Sequence, residues 1–471
     1  MKHIAIIGGG ITGLAAAFYL RREAEARGQE VRCTLLEAQP RLGGKIITDR
    51  VNEFTIEGGP DSFIVDKPWC LQLCHDAGVG DDLIPSNELQ RKVYVLRKGR
   101  LVEFPTGFRL TVPTELLPFA RSSLISPLGK LRMLGDLVIP PRREGGDESL
   151  AAFIRRRLGE EALDRIAGPL LGGIFVSDPE RLSMDSTFPR LQAMEREYGS
   201  LIRAARAVRN LPPPTPKLRA AGNAMFNSLK HGMGGLVDAL CRQIQADIRL
   251  QTPVAALRRE GGRYTLYLGA SGAEHLEADA VILTSSSRQA GAMLGEAHPR
   301  LAALLNEIRF VNTTTVSMAY LFDDIPAERP LDGFGVLIPA SEQRRLIAVT
   351  WASTKFRHRA PAGCVLMRAF VGGYRDEALA ALPEEELIQL IRQEYESLFG
   401  ITQAPMFHRI YRWPQANPQY DVGHLQRIAE IEREAAEWPG LALAGSSYRG
   451  VGMPDCIHSA RQAVERILAL P

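Results

Sequence analysis

The chain has 471 residues, too many for one small hydrophobic core, so two or three domains are expected. Apolar residues make up 45% and charged residues 24%, an ordinary globular balance, and a net charge of +3 excludes a global electrostatic footprint for nucleic acid. The six cysteines (Cys33, Cys70, Cys74, Cys241, Cys364, Cys456) are scattered and no histidine or second cysteine pair completes a metal set, which predicts no metal and free thiols in a reducing, intracellular environment.

Residues 3–13 read HIAIIGGGITG, and residues 4–7 have the apolar run of a short buried parallel strand. Gly8, Gly10 and Gly13 then supply G-x-G-x-x-G ahead of a helix that runs on to Ala26. Gly8 allows the tight turn, Gly10 lets backbone approach a pyrophosphate, and Gly13 lets the helix pack against the strand. The helix N-terminus offers free N–H groups and a positive dipole end. A second strand over residues 31–36 ends at Glu37, where a dinucleotide fold places an acid for ribose hydroxyls. This first apolar run therefore reads as a strand and a helix rather than a cleaved leader. No run reaches the roughly 18 apolar residues of a membrane span, although peripheral contact needs only an apolar or amphipathic patch.

Gly43 and Gly44 predict a second turn, followed by Lys45, a strand over residues 54–57 and the segment GGPDSF (58–63). A helix is expected over 69–77, a strand over 92–97, and mostly helix from 111 to about 222, with helical spacing in Leu150, Phe153, Ile154 and Leu158. Arg155, Arg156, Arg157, Arg203, Arg206 and Arg209 read either as a solvated helix face or as contacts for an anionic lipid or partner. Residues 210–217 (NLPPPTPK) read as a stiff connector. Strands over 248–250, 264–268 and 279–284 return to the first sheet, and Val254 could pack against adenine or simply fill core. Strand patterns at 315–322, 335–338, 346–351 and 365–371, with a helix over 384–399, predict an antiparallel sheet. The chain closes with a strand at 441–444, a glycine loop over 445–452 and a helix opened by Pro454.

The second Gly-Gly turn with the E-G-G-P segment resembles the extended FAD signature of the amine oxidase, phytoene desaturase and protoporphyrinogen oxidase superfamily. GGPDSF, residues 170–189 (LLGGIFVSDPERLSMDSTFP) and residues 448–457 (YRGVGMPDCI) together resemble the protoporphyrinogen oxidase family. The run WPQANPQYDVGH (413–424) is similar to its Gram-positive branch, whose usual substrate is coproporphyrinogen III. The resemblance implies an α/β fold in three parts. These are a discontinuous Rossmann-like FAD-binding domain (1–63, 222–290, 425–471), an antiparallel-sheet substrate domain (64–110, 291–424) and a helical domain often called membrane-binding (111–221).

Carried over onto this sequence, the FAD contacts are Gly8, Gly9, Gly10, Ile11, Thr12, Gly13, Glu37, Ala38, Lys45, Gly59, Pro60, Asp61, Ser62, Val254, Trp413, Val451, Gly452 and Met453. The substrate pocket is Lys67, Arg91, Gly173, Ile174 and Phe370, with Lys67 and Arg91 as clamps for propionates or else ordinary surface cations. Two departures from the family pattern are visible: Lys45 stands where many members have Arg, and Phe370 where Tyr is expected. The implied reaction is FAD-dependent, six-electron oxidation of coproporphyrinogen III or protoporphyrinogen IX with O2 as acceptor, in haem biosynthesis. A cytoplasmic location with peripheral membrane contact, and handover to a ferrochelatase, go with it. No Ser-His-Asp, Cys-His or paired-carboxylate arrangement stands out, so no catalytic side chain is assigned; His424 reads as structural or exposed. Another flavin amine or carotenoid oxidase, and a flavin-free prenyl-protein escort protein, are the competing readings.

Overall fold

The computed structural model describes residues 1–109, 111–142, 145–207, 224–329 and 331–470. The expected connector over 210–217 and Arg209 lie outside them.

A five-stranded parallel sheet has the order Asp247–Arg249, Val31–Leu36, Lys2–Ile7, Ala280–Leu283, Leu441–Leu443. Its strands come from the beginning, middle and end of the sequence. The first strand alternates between two cores, as a period of two requires. Ile4 and Ile6 face the helices Ile11–Ala26, Gly234–Gln243 and Met453–Leu468. Ala5 and Ile7 face the antiparallel meander Val254–Glu260, Arg263–Leu268, Glu274–Ala278, with the helices Ser287–Leu294, Pro299–Asn306 and His424–Ala436 behind it. Burial on both faces explains why residues 4–7 read as a continuous apolar run.

The second layer is a seven-stranded sheet in the order Phe407–Pro418, Phe310–Leu321, Cys364–Gly372, Leu346–Trp351, Gly333–Leu337, Lys92–Arg97, Arg100–Glu103. It is antiparallel except where Gly333–Leu337 runs parallel to Lys92–Arg97. The helix Glu384–Phe399 covers one face through Leu387, Ile391, Tyr395 and Phe399. On the other face, Ala319, Leu366 and Tyr411 pack on Phe54 and Ile56 of the hairpin Thr48–Val51/Phe54–Glu57. Strand Phe407–Pro418 has no counterpart in the sequence reading because Pro414 and Pro418 argue against a strand. It is tolerated as the edge strand, with a register shift at Val311/Thr313 and Gln415 at φ 45°.

The described residues between 116 and 207 are mostly helical, with Leu150, Phe153, Ile154 and Leu158 all buried as their spacing predicts. The arginine run corrects its sequence reading. Arg155 pairs with Glu160 and Glu180, Arg156 with Glu148 and Glu195, and Arg157 is fully buried against Asp136. These cations are spent within the protein, and the run is not a free basic face; Arg206 is exposed. No described helix is long and apolar enough to cross a membrane.

His424 is wholly buried, stacked on Tyr420 at 4.0 Å, with Nε2 2.8 Å from the Tyr448 carbonyl. Burial lowers its pKa to about 4 despite that carbonyl. The folded state therefore resists protonating a ring that the unfolded chain protonates below about 6.5. This contribution is complete above pH 6.5 and is lost as pH falls toward 4. The unfolding free energy of the wild type relative to His424→Gln should accordingly shrink by about 3 kcal/mol between pH 7 and pH 4. Denaturant titrations at the two pH values measure it, and a constant difference would contradict it.

Candidate active site

The glycine loop sits between the first strand and the first helix, and its glycines do separate jobs. Gly8 is at φ +108°, and a Cβ there would lie 2.8 Å from the Thr284 hydroxyl. A Cβ on Gly13 would meet the Gly8 carbonyl at 1.8 Å, so this glycine is what lets helix touch turn. Gly10 differs: its Cβ would find nothing nearer than the Gly44 Cα at 3.9 Å. It is the N-cap of helix Ile11–Ala26, with no side-chain cap and no acid in the first turn. The helix start thus carries no cap and no anion of its own. Glu37 stands at the end of its strand, accepting Gly9 N–H at 2.6 Å and Gln39 N–H at 2.8 Å. Each oxygen keeps a further lone pair for a hydroxyl. Ala38 is exposed beside it, and half-buried Val254 opens the meander from the same neighbourhood, where Thr252 N–H donates to the Glu37 carbonyl at 2.9 Å.

The second glycine turn lies directly on the first. Gly43 N–H donates to the Gly9 carbonyl at 2.8 Å, and a Cβ on Gly44 would come within 2.9 Å of the Gly10 Cα. Lys45 follows, with Nζ donating to the Ala416 carbonyl. Its side chain keeps accessible surface yet is walled by protein, and the desolvation lowers its pKa. A Cβ on Gly59 would lie 1.8 Å from the Lys45 carbonyl. The neighbouring Gly58 carbonyl accepts from Thr315 Oγ1 at 2.9 Å, Arg368 Nη2 at 2.8 Å and Trp413 Nε1 at 3.2 Å. Trp413, expected as an FAD contact, thus reaches the glycine segment.

Below Pro60, Asp61 and Ser62 lies a charge network that the sequence reading missed. Asp61 pairs with Lys355 at 2.9 Å and accepts from the Ser62 hydroxyl at 2.7 Å. Burial alone would raise its pKa, but Lys355 and Arg368 outweigh that and hold the carboxyl well below its usual range. Glu57 goes the other way: burial pushes it up to about 7 against the pull of Arg359, 3.6 Å away. The signal for Arg368 was present, a lone charge inside the apolar strand VLMRAFV.

The C-terminal loop closes over the first helix, with Gly445 packed at Thr12. Gly452 is the N-cap of helix Met453–Leu468, again without a side-chain cap. Val451 packs against the helical region and Met453 against the first-helix core. Asp455 in the first turn of this helix is held by Lys67, whose Nζ donates to both oxygens at 2.6 and 2.7 Å.

Of the expected pocket residues, Phe370 lies in strand Cys364–Gly372 with the Arg368 guanidinium 4.9 Å from its ring. The turn Gly173–Phe175, with Ile174 exposed, reaches the end of that strand: a Cβ on Gly373 would meet Val176 at 2.4 Å. Val176 is held at φ 52°, a strained value for a β-branched residue, after a π-helical stretch Leu163–Gly172 that contains Pro169. Arg91 is elsewhere, paired with Glu88 at 3.3 Å and 3.7 Å from Met225 Sδ, which is on the side of the Lys67 segment. Among the described residues, His298, Glu434 and Glu437 bring three possible metal-ligand atoms within 4.8 Å of one another. Arg300 already pairs with Glu434 at 2.9 Å, and the His298 ring bonds the Glu434 backbone carbonyl at 3.2 Å.

These residues fit a dinucleotide. An uncapped helix start and a bare Gly10 suit the pyrophosphate, Glu37 suits a ribose, and the surface continues over Gly44 and Lys45 to Gly59. Gly10→Val tests the loop. The backbone there (φ −72°, ψ −178°) accepts any residue and the space is open, so the apoprotein should keep its stability while losing stoichiometric FAD. A stoichiometric flavin absorbance in the purified variant would contradict the assignment.

The family model for flavin-containing amine oxidoreductases matches residues 11–468. Over 470 residues the chain is 36% identical to the coproporphyrinogen III oxidase of Bacillus subtilis, covering 99% of this chain and 98% of that one. It is 29% identical to protoporphyrinogen oxidase 1 of Arabidopsis thaliana, covering 97% and 86%. A solved structure of a candidate protoporphyrinogen oxidase from Exiguobacterium superposes with a TM-score of 0.87 at 34% identity, covering 99% and 98%. Putrescine oxidase superposes with a TM-score of 0.68 at 16% identity, which shows the shared fold alone. The chain belongs to the flavin-containing amine oxidoreductase family and is an FAD-dependent oxidoreductase.

Proposed function

We propose that this flavoenzyme oxidises a porphyrinogen in haem biosynthesis, and that its substrate is coproporphyrinogen III. The observation that carries the substrate is the full-length likeness to coproporphyrinogen III oxidases at 36%, 32% and 34% identity, against 29% and 28% for the two Arabidopsis protoporphyrinogen oxidases. Bound FAD supplies two-electron acceptance, so aromatising the macrocycle takes three rounds. Molecular oxygen is the proposed final acceptor, giving three hydrogen peroxide per porphyrin.

The side chains then have to bind, orient and exclude water. The residues assigned above to FAD hold the cofactor, and Phe370 with Gly173 and Ile174 forms the apolar wall for the macrocycle. Lys67 and Arg91 remain the proposed propionate clamps, each carrying an acid that a propionate would have to share or displace. The domain division is proposed as 1–63, 222–290 and 425–471 for the cofactor, 64–110 and 291–424 for the substrate, and 111–221 for the helical part. Exposed Leu117, Leu128, Leu131 and Val138 in that last part support peripheral membrane contact of a protein working in the cytoplasm, with its product passing to a ferrochelatase.

Lys67→Ala should raise KM for coproporphyrinogen III several-fold with a smaller change in kcat, as expected when uniform binding is lost. Asp455→Asn, which frees Lys67, should leave KM unchanged or lower it. Equal KM increases in both variants would make the pair a structural brace and remove Lys67 from the pocket. For the substrate itself, matched fluorescence assays on both porphyrinogens should give a kcat/KM at least about tenfold higher for coproporphyrinogen III. A preference for protoporphyrinogen IX would overturn the assignment.

A further inference from the structure

Three arginines among the described residues are almost fully buried: Arg157, Arg359 and Arg368. Arg157 faces Asp136 and Glu195, and Arg359 faces Glu57. Arg368 has no carboxylate at ion-pairing distance among the described residues. Its Nη2 donates to the Gly58 carbonyl, its plane lies by the Phe370 ring, and its Nε has no hydrogen-bond partner. Asp61 feels its field but is already bonded to Lys355. Counting Lys355, Arg359 and Arg368 against Asp61 and Glu57, the segment 57–62 sits in a net positive field. A buried guanidinium cannot relieve this by losing its proton. A charge so placed is costly unless something anionic shares the space.

Contacts alone order the cofactor surface. Glu37 marks the adenosine end and Gly10 the pyrophosphate. Gly44 touches Gly10, Gly59 touches Lys45, and Gly58 is bonded to Arg368. The flavin end of a dinucleotide leads away from Glu37, along this series, toward Arg368. On taking two electrons and one proton the flavin ring acquires one negative charge.

We infer that Arg368 tunes the cofactor: its charge, which no carboxylate of the described residues meets at ion-pairing distance, makes the site hold reduced, anionic FAD more tightly than oxidised FAD and so raises the flavin midpoint potential. This rests on the FAD assignment and not on the porphyrinogen reading, and it is measured without substrate. Dye-equilibrated reductive titration of the FAD-bound protein reads it directly. Arg368→Gln keeps an N–H for the Gly58 carbonyl but removes the charge; its potential should fall by the equivalent of about a tenfold loss in the reduced-over-oxidised affinity ratio. Arg368→Lys should restore most of that loss. Asp61→Asn removes an acid that offsets Arg368 and should shift the potential upward. An unchanged potential in Arg368→Gln, or shifts of the same sign in Arg368→Gln and Asp61→Asn, would overturn the inference. Should Arg368→Gln not fold, Asp61→Asn decides alone, and an unchanged or lowered potential there overturns it as well.

Discussion

One carbonyl oxygen, that of Gly58, joins the two halves of the molecule. Three neighbouring strands of the seven-stranded sheet each send it one donor: Thr315, Arg368 and Trp413. A carbonyl has two lone pairs, so three donors crowd it and fix its direction. The segment that carries it has no room for side chains, with Gly58 against the Tyr411 ring and Gly59 against the Lys45 backbone. Lys45 in turn follows the turn that rests on the Gly8–Gly13 loop. The parallel sheet that carries the glycine loop and the seven-stranded sheet are thus held in register through a few contacts around one backbone segment. A cofactor spanning both must find them at a fixed spacing, which is what preorganised redox chemistry requires.

The glycine loop and the elements that flank it were legible because their geometry is local. A strand, three glycines, a helix and an acid lie within the first 37 residues, and each is imposed by backbone sterics rather than by distant partners. Helix Glu384–Phe399 was legible for the same reason, since its periodicity is internal. The long edge strand was not, because Pro414 and Pro418 carry the opposite local signal and only an edge position reconciles them. The arginine run misled because adjacent helical residues point about 100° apart. Arg155 and Arg157 therefore belong to different surroundings, one exposed among glutamates and one at zero accessibility. The buried network of Glu57, Asp61, Lys355, Arg359 and Arg368 is built from residues more than three hundred positions apart, and only the lone charge of Arg368 in its apolar strand gives a local sign of it.

The electrostatics of the site follow from that assembly. Cations cluster beneath the glycine segment, while Phe370 and the turn at Ile174 present apolar surface nearby. The proposed reaction, with an apolar substrate that gives up electrons and a cofactor that gains negative charge, suits such surroundings without a nucleophile or a paired acid and base. The helix start at Gly10, uncapped and without an acid in its first turn, adds a further positive end, whereas Asp455 offsets the one at Gly452.

The stoichiometry of the reaction is the decisive measurement for this enzyme. With FAD-loaded protein and anaerobically prepared coproporphyrinogen III, oxygen uptake and porphyrin fluorescence are followed in one closed vessel after oxygen is admitted. Three molecules of oxygen should be consumed and three of hydrogen peroxide formed for each coproporphyrin III, since each round of the bound flavin removes two of six electrons. Flavin that stays oxidised, with neither oxygen uptake nor porphyrin above the enzyme-free control, would contradict it.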